Sequence, residues 1–355
     1  MTLLMFIAGL VALVIGAELL VRGASRLALS FGISPLVVGL TIVATGTSAP
    51  EVAVSVGAAL SGNTDIAIGN VVGSNIFNVL FILGISALIT PLVVNAQIIR
   101  QEVPIMIGTS LLLLAFGLDG TLGTVDCAIL LALLVLYTVF LVVQSRRETR
   151  ETNDEYDSAV TSGSRWDAHW AVQVLLIAIG LGFLVAGSNW LVDSAIIFAK
   201  ALGVSDLVIG LTIVAAGTSM PEVATSIMAA IRKQRDIAIG NVVGSSTFNI
   251  LGCLGLSGLV APEGLAMAPA LLNFDIWVMI ATALACLPVF LSGRQIARWE
   301  GGVFLGYYAA YVTYLILRAQ EHDALAAYST AMLSFVVPLT VVTMVVVMLR
   351  PSRTP

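Results

Sequence analysis

Two glutamates stand where the surrounding sequence is apolar enough to cross a membrane. Each closes the same short pattern, Thr47-Ser48-Ala49-Pro50-Glu51 and Thr218-Ser219-Met220-Pro221-Glu222. A charged carboxylate at the bilayer centre is unfavourable by about 3 kcal/mol on insertion scales, so such a residue marks a functional position by default. The rival explanation is local, because Ser-x-x-Glu is also a capping box at a helix start. Glutamine would cap without a charge, and the functional explanation is preferred. Proline removes a backbone donor and clashes with the preceding turn, yet it suits the first turn of a new helix. Each span should therefore be two half-helices with a break near mid-membrane, tolerated only where the irregular backbone is buried or lines a cavity. Carbonyls freed at the break, such as those of Ala44 and Ala215, then become cation ligands.

A second donor set follows. In Gly69-Asn70-Val71-Val72-Gly73-Ser74-Asn75-Ile76-Phe77-Asn78, Ser74 and Asn78 lie four apart on one helix face, and Asn70 extends that face by a turn. Gly69 and Gly73 would admit a neighbouring helix closely. Gly240, Asn241, Gly244, Ser245 and Asn249 repeat the arrangement. Asn70 and Asn241 read equally well as interhelical hydrogen-bonding groups. Asp65 and Asp236 read as acids capping helix N-termini.

Combined, the candidate donors are the carboxylates of Glu51 and Glu222, the hydroxyls of Thr47, Ser48, Thr218, Ser219, Ser74 and Ser245, the amides of Asn78 and Asn249, and the carbonyls of Ala44 and Ala215. Every one is oxygen. Ca²⁺ takes six to eight oxygens at about 2.3–2.6 Å, whereas soft metals select sulfur or imidazole. Cys127, Cys253 and Cys286 sit at non-matching positions within spans and read as small apolar core residues; His169 and His322 lie at span ends. No Lys or Arg falls near mid-membrane, which argues against an anion. Two glutamates supply a charge of −2, met by one Ca²⁺, two Na⁺ or two H⁺. Competition for one pair of acids is a physical basis for exchange.

The elements that must position these groups come in duplicate. Residues 39–78 and 210–249 align without a gap, and 28 of 40 positions match. Four mismatches fall together at 61–64 against 232–235, as expected for an exposed turn. Gly16 pairs with Gly187, Leu20 with Leu191, Val21 with Val192 and Gly32 with Gly203 at the same offset of 171.

With 59% hydrophobic and 10% charged residues, the chain is a polytopic membrane protein and not a soluble domain. Period-two alternation is absent, so a β-barrel is not expected. No basic leader region with a cleavage site precedes the first apolar run. Apolar runs predict eleven spans, near 2–20, 34–60, 66–90, 103–118, 125–144, 170–190, 205–231, 237–260, 273–292, 301–317 and 328–349. If these alternate, 14 of the 16 Lys and Arg fall on one side, leaving only Lys200 and Arg318 on the other. The positive-inside rule then places the N-terminus outside and the C-terminus in the cytoplasm.

Five spans per copy force the second copy upside down relative to the first, an architecture of secondary transporters with the ion site between repeats. The expected class is an all-α membrane protein of two inverted five-helix repeats, 1–144 and 169–318. An acidic linker at 145–168 joins them, and 319–355 adds an eleventh helix and a tail whose role is packing or assembly. The linker acids (Glu148, Glu151, Asp154, Glu155, Asp157 and Asp167) read as a solvated segment, since no twelve-residue calcium loop is present.

The paired GTSxPE and GNVVGSxxFN segments resemble the two α-repeats of the sodium/calcium exchanger family, within the calcium/cation antiporters. The resemblance covers the first ten spans. It implies a ten-helix core in which the twelve donors named above form one calcium and several sodium positions, and it implies alternating access by sliding of spans 1 and 6 past that core. Four positions depart from the pattern. Asn249 stands where some prokaryotic relatives carry Asp, Ser246-Thr247 stand against Asn75-Ile76, and Met220 against Ala49.

The expected function is therefore a Na⁺-driven antiporter that exports Ca²⁺ from a prokaryotic cell through the inner membrane. A proton/calcium antiporter is the alternative, and a passive cation channel a further one. An intramembrane hydrolase would need a nucleophile–base pair or aspartate dyad that the spans lack. No resident cofactor and no nucleic-acid partner are expected, the ions being cargo, and the chain should act as a monomer or weak oligomer in the bilayer.

Overall fold

A computed structural model describes residues 2–148, 169–202, 213, 215–261 and 263–349. Most of the 145–168 linker, Gly203, the first part of the expected seventh span and the tail from 350 lie outside the described residues. The architecture is helical. In chain order the helices are α1 (Thr2–Phe31), α2 (Pro35–Thr47), α3 (Ala49–Leu60), α4 (Thr64–Ile89), α5 (Ile98–Asp119) and α6 (Thr124–Glu148). They continue with α7 (Trp170–Ala201), α8 (Met220–Ile231), α9 (Arg235–Val260), α10 (Leu271–Leu291), α11 (Arg298–Ala319) and α12 (Ala324–Thr343).

Eight of these are long and apolar enough to cross a membrane, and α2 with α3 makes a ninth if the bent pair is one span. The eleven expected segments are thus not all matched by long apolar helices. The segment at 205–231 is represented by the shorter α8, because its N-terminal part is outside the described residues. The segment at 301–317 forms α11, which four tyrosines (Tyr307, Tyr308, Tyr311 and Tyr314) make less apolar than its neighbours.

The expected break in the second span is present. α2 and α3 meet at Ser48 with a 46° bend, directly before Pro50. The capping box, however, does not form: neither Ser48 nor Ser219 makes a side-chain cap. Asp65 and Asp236 lie in the first turns of α4 and α9, where their charge suits the helix dipole, but Asn63 and Gln234 occupy the cap positions and no side-chain cap bond is made there either.

α9 lies at the centre, buried from Ile237 to Gly255, and packs on α2, α4, α5 and α8. Its glycines permit this. A Cβ at Gly240 would stand 3.0 Å from the Leu36 carbonyl oxygen, and one at Gly244 would stand 2.5 Å from that of Leu40. Around Gly69 and Gly73 nothing described lies within 4 Å, so the close approach expected there is seen only for the second copy. The residues mirroring Leu36 and Leu40, at 207 and 211, lie outside the described residues.

α1 and α7 pack together through glycines. Gly9 faces the backbone of Gly187 and Leu191, and Gly16 that of Gly180 and Leu184; Gly23 faces Gln173 and Ile177. Residue numbers rise along one helix as they fall along the other, so the two run antiparallel. In lipid no hydrophobic force drives helices together, and close backbone packing of this kind supplies the attraction instead.

Two ribbons of two residues per strand, unforeseen from sequence, join the ends of the bundle. β1 (Leu92–Val93) pairs antiparallel with β4 (Gln295–Ile296), and β2 (Thr121–Leu122) with β3 (Leu265–Ala266). Each ribbon takes one strand from either half. α12 lies at the periphery, with none of its span buried, and is tied on by Tyr307, which donates to Thr340 Oγ1 at 2.6 Å.

Candidate cation site

The bend at Ser48 turns the start of α3 toward the start of α8, and the two glutamates there are wholly buried. Each is held by the serine of the opposite copy. Ser48 Oγ donates to Glu222 Oε1 at 2.9 Å, and Ser219 Oγ donates to Glu51 Oε1 at 2.8 Å. The serine hydroxyl that local spacing offers to its own helix end thus crosses to the other half and donates to a carboxylate oxygen there.

The remaining donors gather around this exchange. Ser219 also reaches Ser74 Oγ at 3.2 Å. Thr47 Oγ1 lies 3.1 Å from Asn241 Oδ1, and Thr218 Oγ1 lies 3.4 Å from Asn70 Oδ1. Asn241 donates to Ser226 Oγ and the Glu222 carbonyl, and Asn70 to Ser55 Oγ and the Glu51 carbonyl. The two asparagines therefore brace the glutamate-bearing helices, the interhelical role their spacing allowed. Because they can accept the threonine protons, lone pairs of Thr47 and Thr218 are left for an ion.

Ser245 Oγ meets the Ala44 carbonyl at 3.5 Å. That carbonyl was expected to be freed by the break, but it still accepts the Ser48 N–H at 3.0 Å. The bend lies at Ser48, the donor of that bond, so the helix ladder persists up to it. A carbonyl has a second lone pair, and Ala44 can contribute one without losing its backbone bond. Ala215 opens the short helical turn at 215–217.

Asn78 and Asn249 are buried at equivalent points, and at each the helix widens into a π-helical turn, Asn78–Leu83 in α4 and Asn249–Leu254 in α9. Such wide turns favour functional sites, and no sequence signal announced them. Both amide atoms of Asn78 lack a hydrogen-bond partner among the described residues. Asn249 is engaged by Asn75, which sequence reasoning did not single out.

The arrangement leaves Glu51 Oε2 and Glu222 Oε2 buried without a hydrogen-bond partner among the described residues. Glu102, a third buried carboxylate, shows the contrast. Its Oε1 accepts from the Gln97 and Gln101 amides and its Oε2 from the Tyr137 hydroxyl. Interhelical hydrogen bonds in membranes average about 0.6 kcal/mol each, far below the roughly 3 kcal/mol unfavourable insertion of a carboxylate. Hydrogen bonding alone does not account for Glu51 and Glu222; a bound cation would. Among the described residues no three His, Cys, Asp or Glu cluster, so an ion here would be held by two carboxylates and neutral oxygens.

Long apolar helices around buried acids and oxygen donors define a polytopic membrane protein of the ion-exchanger class. Residues 1–144 and 172–317 match the sodium/calcium exchanger protein family. The putative antiporter CaxA of Alkalimonas amylolytica is 39% identical over 85% of this chain and 95% of its own. The sodium/calcium exchanger MaX1 of Methanosarcina acetivorans is 34% identical over 88% and 97%. A solved structure of the sodium-calcium exchanger NCX_Mj, soaked with 10 mM Na⁺ and no Ca²⁺, superposes with a TM-score of 0.74 at 32% identity, covering 88% of this chain and 98% of that one. The chain belongs to the sodium/calcium exchanger family.

Proposed function

We propose that this protein exchanges Na⁺ for Ca²⁺ across a prokaryotic inner membrane, exporting Ca²⁺ by alternating access. The observation that carries the reading is the reciprocal serine–glutamate exchange that leaves one oxygen of each carboxylate without a partner among the described residues, in a buried, oxygen-lined site. Glu51 and Glu222 hold the divalent ion, with Thr47, Thr218, Ser48, Ser219, Ser74, Ser245, Asn78, Asn249 and the Ala44 and Ala215 carbonyls completing the calcium and sodium positions. One Ca²⁺ or two Na⁺ neutralise the pair, so the two loads exclude one another. The ions are cargo, and no cofactor is required.

Eleven spans in two inverted five-helix repeats, N-terminus outside and C-terminus inside, form the working architecture. Antiparallel packing of α1 and α7, the strand ribbons shared between halves and the 14-to-2 charge asymmetry support it.

Vesicle flux tests the reading. Ca²⁺ uptake into proteoliposomes should follow an imposed Na⁺ gradient and vanish in Glu51→Gln or Glu222→Gln. Uptake that ignores Na⁺ and tracks a pH gradient would make the protein a proton/calcium antiporter. Flux with no counter-ion gradient would make it a channel.

A further inference from the structure

The two halves match closely at the site, yet they differ at a few positions beside it, one of which makes a bond between the halves. Asn75 of α4 aligns with Ser246 of α9, since the offset is 171. Both are buried. Asn75 Nδ2 donates to the Ser246 carbonyl at 3.0 Å, and Asn75 Oδ1 accepts from Asn249 Nδ2 at 3.1 Å. Chemistry fixes the polarity of this chain of bonds. A backbone carbonyl can only accept, so the Asn75 nitrogen must face it. The Asn75 oxygen therefore faces Asn249, and only the Asn249 nitrogen can meet it.

The Asn249 oxygen is turned the other way, where its hydrogen-bond partner among the described residues is the weakly donating Cys253 thiol at 3.5 Å. Asn249 also follows Ser245 by one turn on the same face, and Ser245 touches Ala44 at the bend. The first half lacks this device. Ser246 turns its hydroxyl back to the Val242 carbonyl at 2.9 Å, and the Asn78 amide has no partner for either atom among the described residues.

We propose that Asn75 is a positioning residue for cation binding: it holds the Asn249 amide with oxygen, not nitrogen, available to the ion. Asn249 is thereby a fixed neutral ligand, while no described residue holds the Asn78 amide in this way. An amide nitrogen presented to a cation would repel it, so the orientation matters as much as the residue type. The inference rests on the cation-site reading given above.

Calcium titration calorimetry on the purified full-length chain tests it through a double-mutant cycle. Asn75→Leu removes the restraint. Asn75→Ser does so with the residue that the fold accommodates at position 246, and carries the test if the leucine variant does not fold. Each is measured alone and with Asn249→Asp, whose carboxylate offers an oxygen in either orientation. The expected result is about a tenfold weaker Ca²⁺ affinity in the single variants, the effect of one misplaced ligand, and little or no further loss when Asp stands at 249. An unchanged affinity in both single variants overturns the proposal. So does an equal loss in both backgrounds, which would mark Asn75 as packing alone. Glu51→Gln, titrated alongside, separates the two claims: undiminished Ca²⁺ binding there would remove the site itself.

Discussion

The hydroxyl of Ser219 lies 2.8 Å from a carboxylate oxygen of Glu51, although 168 residues separate them in the chain. Its mirror, Ser48 on Glu222, has the same geometry within 0.1 Å. Neither half holds its own acid. The site exists only when both bent segments face each other, and this dependence gives the consequences below their direction.

Removing a shared hydroxyl should weaken ion binding in either half alike. A hydrogen bond to a charged group is worth about 1.5–3 kcal/mol, so Ser48→Ala and Ser219→Ala should each lower Ca²⁺ affinity tenfold or more. Titration of the two variants side by side checks this; a loss confined to one of them would contradict the equivalence of the halves.

Charge at position 51 or 222 should matter more than shape. Glutamine keeps the acceptor oxygen for the opposite serine but removes half the site's charge. Breaking a buried charged pairing costs about 3–5 kcal/mol, so Glu51→Gln and Glu222→Gln should bind Ca²⁺ more than a hundredfold more weakly. Thermal unfolding without ions should show both variants at least as stable as the parent, because an uncompensated buried charge is gone.

The glycine contacts between α1 and α7 should tolerate no side chain. A Cβ at Gly180 would stand 2.7 Å from the Leu20 nitrogen and 2.8 Å from the Gly16 carbonyl oxygen. Overpacking of this kind costs about 1–3 kcal/mol, and Gly180→Leu should lower the unfolding temperature in detergent. At Gly182, two residues along, nothing described lies within 4 Å, and Gly182→Ala should leave that temperature unchanged or raise it.

α12 should be dispensable for exchange. No residue of its span is buried, and it packs on α10 and α11 with hydrogen bonds from Tyr307 and Tyr328. A chain ending after Ala319 should still take up Ca²⁺ into vesicles under a Na⁺ gradient. Loss of uptake with the helix bundle intact by circular dichroism would assign α12 a part in transport.

Much of this was legible in the residues. The duplicated segment named both acids, Pro50 announced the bend, and four-residue spacing placed Ser74 with Asn78. What stayed hidden is tertiary. Ser48 and Glu51 have the spacing of a cap, and only the folded chain shows the hydroxyl crossing to Glu222. Asn75 is off the repeated ligand face and acts through Asn249 of the other half, a pairing no local periodicity encodes. Pro50 predicts that a break occurs but not its exact residue, hence the Ala44 carbonyl that keeps its backbone bond. Strands of two residues are too short to leave any pattern.

The ribbons that take one strand from each half carry a further meaning. Two separate copies of a single half, related by a twofold axis, could make the same ribbons, the same glycine contacts and the same crossed serine–glutamate bonds. Every feature of the centre would then lie in identical pairs about that axis, and no residue could change on one side alone. Joining the copies into one chain lifts that restriction, and asparagine facing serine across positions 75 and 246 is what such freedom looks like once used.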